Sequence, residues 1–574
     1  MKKARKLTAV LLSLVMLLAL VVPASAADTY SITIHNDKTG HIYEAYQIFA
    51  GTVSDDETDG ETDGGPMLGD ITWGSGVDGG ALLTALQAAN AGKYGTCTTA
   101  ADVAEALGTE NATAADAAAF ADIAAQHLTA TVAGTADAPE GGNYVIEGLP
   151  AGYYLVKDSL QEDDNQTGQV LSDYIVQVLG NVTMEPKDSG IPTLEKKVAE
   201  QGKGDEGKYD LDGGYGTYYN DVADWNIGDR VPFKLIGSIP DMDAYDTYQY
   251  IFHDTISAGL TLDMTSFDVY VAQEKNQDPV ALHWTEIDPA NYQLTQTEDG
   301  FTLTIDNLKD FPYVDEEGRN YILVFYDAVV STEAVIGLPG NENSAYLEFS
   351  NNPNGDGTGR TEDDKVIVFT YEVDGTKVDG ETQAALQNAQ FVLLNGAKSE
   401  AAMVENGKVK GWVKVATEAA ADDVQMPETY EEWLELNQQH NGLILTSDEN
   451  GLFNIAGLDD GTYYLREIQA PAGYNLLEED VELVITATTA NGQGWDGAAN
   501  TALTALTIDV AGAGAVNGVL DTGVVNVTVR NNQGATLPET GGMGTTLFYI
   551  IGGLLVVGAG ILLVVRIRMK AHNE

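Results

Sequence analysis

The sequence predicts a mainly β protein of tandem antiparallel β-sandwiches, with helices added to the first and an apolar helix at the C-terminus. Three observations carry this prediction. Short runs rich in Tyr, Phe, Val and Thr, broken by Gly, Pro, Asn and Asp, recur through residues 191–361 and 362–535, as in strands separated by tight turns. Thr29-Tyr30-Ser31-Ile32-Thr33-Ile34 alternates with the period of a half-buried strand. An Ala-rich stretch inside 27–190 contains Thr99-x-x-Asp102 and Thr113-x-x-Asp116, capping boxes followed by apolar runs. The chain's 574 residues and 44% hydrophobic content are ample for several cores.

The ends assign a destination. Lys2, Lys3, Arg5 and Lys6 precede an apolar run from Leu7 to Val22 and then Ala24-Ser25-Ala26, so residues 1–26 read as a secretory signal peptide. Leu547 to Val565 is an uncharged run long enough to span a bilayer. Arg566, Arg568 and Lys570 follow it and would hold that end in the cytoplasm.

Charge and composition exclude several functions. There are 29 Lys+Arg and 87 Asp+Glu, a net charge of −58. Removing the seven basic residues and one acidic residue outside 27–540 leaves 22 against 86, or −64 for the outer part. Such a surface repels phosphate backbones, so no nucleic acid partner is expected. Cys97 is the one cysteine and cannot form an internal disulfide. His35, His41, His127, His253, His283, His440 and His572 show no metal-ligand spacing, and there is no Gly-x-Ser-x-Gly elbow. The acidic run Asp55–Asp63 lacks the spacing of a calcium loop and reads as a solvated insertion. No metal site, no cofactor and no enzymatic activity on external substrates are expected.

Within these bounds the chain divides into 27–190, 191–361 and 362–535, followed by a tail, 536–574. An internal echo supports modular construction: Gly148-Leu149-Pro150-Ala151-Gly152-Tyr153-Tyr154-Leu155 resembles Gly457-Leu458-Asp459-Asp460-Gly461-Thr462-Tyr463-Tyr464-Leu465.

The tail begins Leu537-Pro538-Glu539-Thr540-Gly541, continues into the apolar run and ends in basic residues. This arrangement resembles the LPXTG sorting signal of Gram-positive surface proteins, in which a sortase cleaves between the Thr and the Gly, here Thr540 and Gly541. The sortase cysteine attacks the Thr540 carbonyl and an amine resolves the thioester. The chain is the substrate of that acyl transfer.

The resemblance extends along nearly the whole chain to the sortase-assembled major (backbone) pilins of Gram-positive bacteria. Tyr43-Glu44-Ala45-Tyr46-Gln47-Ile48-Phe49 resembles their N-terminal domain. Ile251 to Leu260 and Tyr346 to Pro353 resemble their middle domain. Tyr463 to Tyr474 resembles the E-box of a collagen-adhesin B-type (Cna-B) domain. The fold implied is a tandem of immunoglobulin-like, Cna-type β-sandwiches. In this family a lysine in a Tyr-Pro-Lys motif at the end of the first domain resolves the thioester. Here Val182-Thr183-Met184-Glu185-Pro186-Lys187 occupies that place, with Glu185 where the family has Tyr, so Lys187 is the implied lysine.

The family also crosslinks domains internally through Lys–Asn isopeptide bonds promoted by an Asp or Glu. Burial must lower the amine pKa and raise the carboxyl pKa, so all three side chains must point inward. Residues two apart share a strand face. Phe369, Tyr371, Val373 and Gly375 are in phase with Lys377; Tyr463 and Leu465 with Glu467; Val527 and Val529 with Asn531, leaving Asn532 out of phase. The C-terminal set is therefore Lys377, Asn531 and the acid Glu467. In the middle region Leu194 and Val198 turn Lys196 inward and Lys197 outward. Tyr248, Tyr250 and Phe252 bring in Asp254, and Leu347 and Phe349 bring in Asn351 rather than Asn352. Lys196 and Asn351 are 155 residues apart, Lys377 and Asn531 154. The N-terminal region has Lys157, followed by Asp158, where Glu467 would stand, and no crosslink is expected there.

The resemblance implies a structural shaft subunit, polymerised by a pilus-specific, class C-type sortase and tethered to peptidoglycan by the housekeeping sortase. The implied partners are identical subunits and other pilins, and the implied location is the cell surface after transient membrane retention. The alternative is a singly wall-anchored adhesin or ancillary pilin that binds host-surface ligands.

Overall fold

The computed structural model describes residues 29–54, 67–108, 114–161, 171, 174–185, 191–199, 219–243, 245–275, 284–314, 318–353, 357–416, 424–490, 495, 497–533 and 544–570. The signal peptide, the Asp55–Asp63 run, Thr113, Lys187 and Leu537–Gly541 lie outside the described residues.

The N-terminal region combines two small sheets with helices. Tyr30–His35 pairs antiparallel with Asn143–Leu149 and parallel with Val182–Met184. Its alternation buries Ile32 and Ile34 completely, as the sequence pattern demands. The second sheet is centred on His41–Ser54 and Gly152–Leu160. Helices Gly79–Ala89, Ala100–Leu107 and Ala114–Ala125 cover it, and Phe49 stacks between Trp73 and Phe120 at 5.3 and 5.8 Å. Thr99 and Asp102 form the capping box in full.

The middle region is a sandwich of a six-stranded and a seven-stranded sheet. The first runs Tyr219–Asn220, Leu194–Ala199, Arg230–Ser238, Tyr321–Val330, Leu260–Ala272, Trp284–Glu286. The second contains Val222–Asp224, Asp364–Phe369, Asn341–Ser350, Tyr250–Ile256, Gly300–Ile305 and Gln293–Gln296, with Thr358–Arg360 beside Asn341–Ser350. Phe233, Tyr326, Phe301 and Leu347 fill the space between them, each fully buried and each contributing roughly 2 kcal/mol.

The chain passes between regions at Thr370, later than the composition suggests. Asp364–Phe369, expected after the 361/362 boundary, pairs with Asn341–Ala345 and with Val222–Asp224 and completes the middle sheet. Its continuous apolar run Val366–Phe369 is buried on both faces, which leaves no polar break for sequence to mark.

From Tyr371 a path of ten strands, with two more at its sides, folds around the C-terminal core. First and last strands lie together: Tyr371–Asp379 pairs parallel with Val524–Asn531. Tyr430–His440 is an inserted helix with a Thr429/Glu432 capping box and buried Trp433 and Leu436. The repeated sequence has the same role in both regions. Leu149 and Leu458 each end one strand, the next strand joins another part of the fold, and a tyrosine hydroxyl ties the turn. Tyr154 donates to the Pro150 carbonyl (2.6 Å) and Tyr463 to the Asp459 carbonyl (3.1 Å).

The C-terminal helix Gly544–Lys570 includes Tyr549–Met569, long and apolar enough to cross a membrane at a mean hydropathy of 2.5.

Candidate functional site

In the C-terminal region three side chains from three strands meet in the core. Lys377 comes from the first strand, Asn531 from the last and Glu467 from Gly461–Gln469, which pairs with Gln390–Asn395. The parallel register sets Lys377 beside Val529, so the Asn531 side chain is one same-face step away. The Lys377 amine donates to Asn531 Oδ1 and lies 2.9 Å from Glu467 Oε1. Asn531 Nδ2 donates to Glu467 Oε1 and Oε2 at 3.0 and 2.9 Å. The Leu477 N–H holds Oε2 at 2.9 Å, and Phe391 covers the amine at 5.2 Å from its ring centre. The Lys377 and Glu467 side chains are fully buried, and burial depresses the Lys377 pKa. An amine on a carboxamide, with a carboxylate touching both nitrogens, has the parts needed for transamidation.

The middle region holds a second cluster. Lys196 reaches across the sandwich to Asp254 Oδ2, and Tyr326 joins them: its hydroxyl accepts from the Lys196 amine at 2.6 Å and donates to Asp254 Oδ2 at 2.7 Å. Burial lowers the Lys196 pKa and raises that of Asp254. The carboxamide present is Asn343, whose Nδ2 donates to the Tyr326 hydroxyl at 2.9 Å. Asn343 is completely buried, and its Oδ1 and Asp254 Oδ1 have no hydrogen-bond partner among the described residues.

Asn351, the carboxamide expected from strand phase, is elsewhere. Asp254 pairs with Ala345 and Ile256 with Asn343, whereas Tyr250 pairs with Phe349. Asn351 is therefore eight residues past Asn343, about 27 Å along an extended strand, beyond the reach of the Lys196 side chain. Its backbone carbonyl accepts from Leu171 N–H at 2.8 Å, at the N-terminal end of the sandwich. The phase was the same for both asparagines; the register separates them.

Comparison with known proteins gives these clusters a setting. Residues 371–494 match the SpaA family, a prealbumin-like fold domain, and residues 530–571 match the LPXTG cell wall anchor motif. The trypsin-resistant surface T6 protein of Streptococcus pyogenes serotype M6 is 25% identical over 385 residues, 59% of this chain. The chain spans 65% of the length of that relative. The chain is similar to Gram-positive backbone pilins. Among solved structures, the T6 backbone pilin of serotype M6 Streptococcus pyogenes is 16% identical, with 89% of this chain and 100% of that chain covered at a TM-score of 0.49. For the pilus 2b backbone protein of group B streptococcus the identity is 24%, the coverage 55% and 97%, and the TM-score 0.36.

The remaining residues singled out for their pilin-like context are placed as follows. Lys197 leaves the core face, as its phase requires, but it is buried rather than exposed. It pairs with Asp221, whose Oδ2 also accepts from the Trp495 N–H at 3.1 Å. In the N-terminal region Lys157 is exposed, while Asp158 is buried and bonded to His41 Nδ1 at 2.8 Å. Glu185 sits 3.3 Å from His35 Nδ1 at the end of the region.

Two members of the middle cluster escaped the sequence reading. Tyr326 lies in Tyr321–Val330, where apolar residues occupy both phases and hide an inward hydroxyl. Asn343 is the third residue of a strand, Asn341–Ser350, read only from Tyr346 onward; its alternation with Ala345, Leu347 and Phe349 was the available signal.

Proposed function

We propose that the chain is the repeating shaft subunit of a covalent surface pilus. A sortase joins Thr540 of one subunit to Lys187 of the next, and the chain itself is no enzyme. The observation that carries this reading is the anchor motif at 530–571 following sandwiches whose cores hold lysine–carboxamide–carboxyl clusters. A pilus-specific sortase, identical subunits and other pilins are the partners, and the housekeeping sortase attaches the finished polymer to peptidoglycan.

Each cluster forms an intramolecular isopeptide bond. The neutral Lys377 amine attacks Asn531 Cγ; Glu467 takes the proton from the amine and delivers it to the departing Nδ2, which leaves as ammonia. In the middle region Lys196 is the nucleophile and Asp254 the acid. The geometry around Tyr326 supports Asn343 as the electrophile in place of Asn351, with the tyrosine relaying the proton toward the leaving nitrogen. Each bond shields the strands between its two ends from tension. Load entering near Lys377 leaves near Asn531 through a covalent bond, and the strands between them are not pulled.

The test is an immunoblot of cell-wall extracts boiled in SDS, from cells producing wild type or Lys187→Ala. A high-mass ladder that collapses to monomer in the variant is the expected result. A ladder that survives moves the linkage to another lysine, and no ladder in wild type, with its sortases present, overturns the shaft reading in favour of a singly anchored adhesin.

A further inference from the structure

The junction between the middle and C-terminal regions contains a group that none of this chemistry uses. Asp224 ends the Val222–Asp224 strand, while Asp459 and Asp460 form the turn between Leu452–Leu458 and Gly461–Gln469. One carboxylate oxygen of each lies within 4.8 Å of the other two. Asp224 and Asp459 are 4% and 2% exposed. At such separations two like charges repel by about 1 kcal/mol even in bulk water, and by several times more where water is excluded. Burial and the Asp224 charge accordingly push the Asp460 carboxyl up to about 6.

A second feature points into the same space. Tyr371, the first residue of the C-terminal region and fully buried, feels the charges of all three carboxylates. Its hydroxyl lies beside Asp224 and interacts with that carboxylate, yet it has no partner in good hydrogen-bond geometry among the described residues. A buried hydroxyl left in that condition loses about 1–3 kcal/mol unless something else coordinates it.

The frame is already built. Asn226 Oδ1 accepts from Asp459 N–H at 3.1 Å and from the Tyr463 hydroxyl at 2.9 Å. Ile227 N–H donates to the Gly457 carbonyl and Trp225 N–H to the Phe369 carbonyl, both at 3.0 Å. Asp460 N–H donates to Asp459 Oδ1 at 2.9 Å. These bonds fix the carboxylates from both sides of the junction.

We propose that Asp224, Asp459 and Asp460 bind one divalent cation, with the Tyr371 hydroxyl facing it, and that this ion staples the middle region to the C-terminal region. The donors are all oxygen and irregularly disposed, which suits calcium; magnesium demands a stricter octahedron and zinc prefers nitrogen or sulfur. Because Asp224 belongs to one sandwich and the other two ligands to the next, the ion opposes their separation at the point where the chain crosses.

The test is calcium titration of the full chain in detergent, stripped with EDTA and held at 150 mM NaCl, followed by calorimetry and thermal unfolding. The acidic surface contributes weak diffuse binding, so wild type is compared with Asp460→Asn, a change at a partly exposed turn. Wild type is expected to show one saturable site above that background and a transition that rises with calcium. In the variant the affinity falls by about tenfold or more. Its calcium-free transition lies above that of wild type, because a repulsion has been removed, and calcium no longer raises it. Terbium emission excited through tyrosine gives an independent reading and is expected to fall in the same variant. A wild-type transition indifferent to calcium, or equal shifts in both proteins, overturns the site and leaves protons as the neutralising charge.

Discussion

Replacing Glu467 by Gln keeps the volume and one acceptor oxygen for the Leu477 N–H and Asn531 Nδ2 but removes the group that carries a proton from Lys377 to the leaving nitrogen. The C-terminal isopeptide then fails to form. The bond closes a loop of 154 residues between Lys377 and Asn531. Chain entropy assigns such a closure about 5 kcal/mol. For a domain of this size that corresponds to a fall in Tm of about 10 to 20 °C. The assay is intact mass and calorimetry on residues 27–540. Wild type should weigh less than its sequence by about 17 Da for each bond, the mass of the ammonia released. Glu467→Gln should regain one such increment and lose the high-temperature transition. Equal masses for wild type and variant, whether both deficient or both full, would refute the reasoning.

Four further expectations accompany it. Asn343→Ala should restore the mass increment of the middle region, while Asn351→Ala should leave it lost; the reverse pattern would reinstate Asn351. Tyr326→Phe should slow that bond's formation, seen as a mixture of masses early after synthesis, without touching the C-terminal bond. Lys234, boxed by Tyr219, Trp284 and Phe325, is held at about 7 by burial. It is neutral in the fold but charged in the unfolded chain between pH 7 and 10.5, so stability gains with rising pH across that window, and Lys234→Met should flatten the dependence of Tm on pH. Thr429→Ala removes the cap of the Tyr430–His440 helix and should cost about 1 kcal/mol, read by urea unfolding of the C-terminal region.

Much of the architecture was legible because its signals are local. Alternation of Ile32 and Ile34 marks a strand, and Thr99 with Asp102 marks a helix start, because strand pleat and helix cap depend on neighbours within a few residues. The C-terminal cluster was legible for the same reason: Lys377, Glu467 and Asn531 each lie in phase with buried neighbours, and each occupies a strand with one clear apolar face. The Tyr430–His440 helix was missed in a region read as strands, although its Thr429-x-x-Glu432 cap was present in the sequence. The 361/362 boundary failed for the opposite reason, since a strand buried on both faces carries no punctuation.

The sequence by itself determined the destination of the chain, its mainly β class and the face on which each candidate side chain lies, all of which follow from composition and from a period of two. Register it could not determine. Asn343 and Asn351 share a face, and sliding one strand past another by eight residues preserves every phase while moving a carboxamide about 27 Å. Only the pairing of Ile256 with Asn343 selects which asparagine meets Tyr326, the hydroxyl that Lys196 also reaches. The gathering of Asp224 with Asp459 and Asp460 is likewise a product of two sandwiches docking, invisible to any pattern within a single strand.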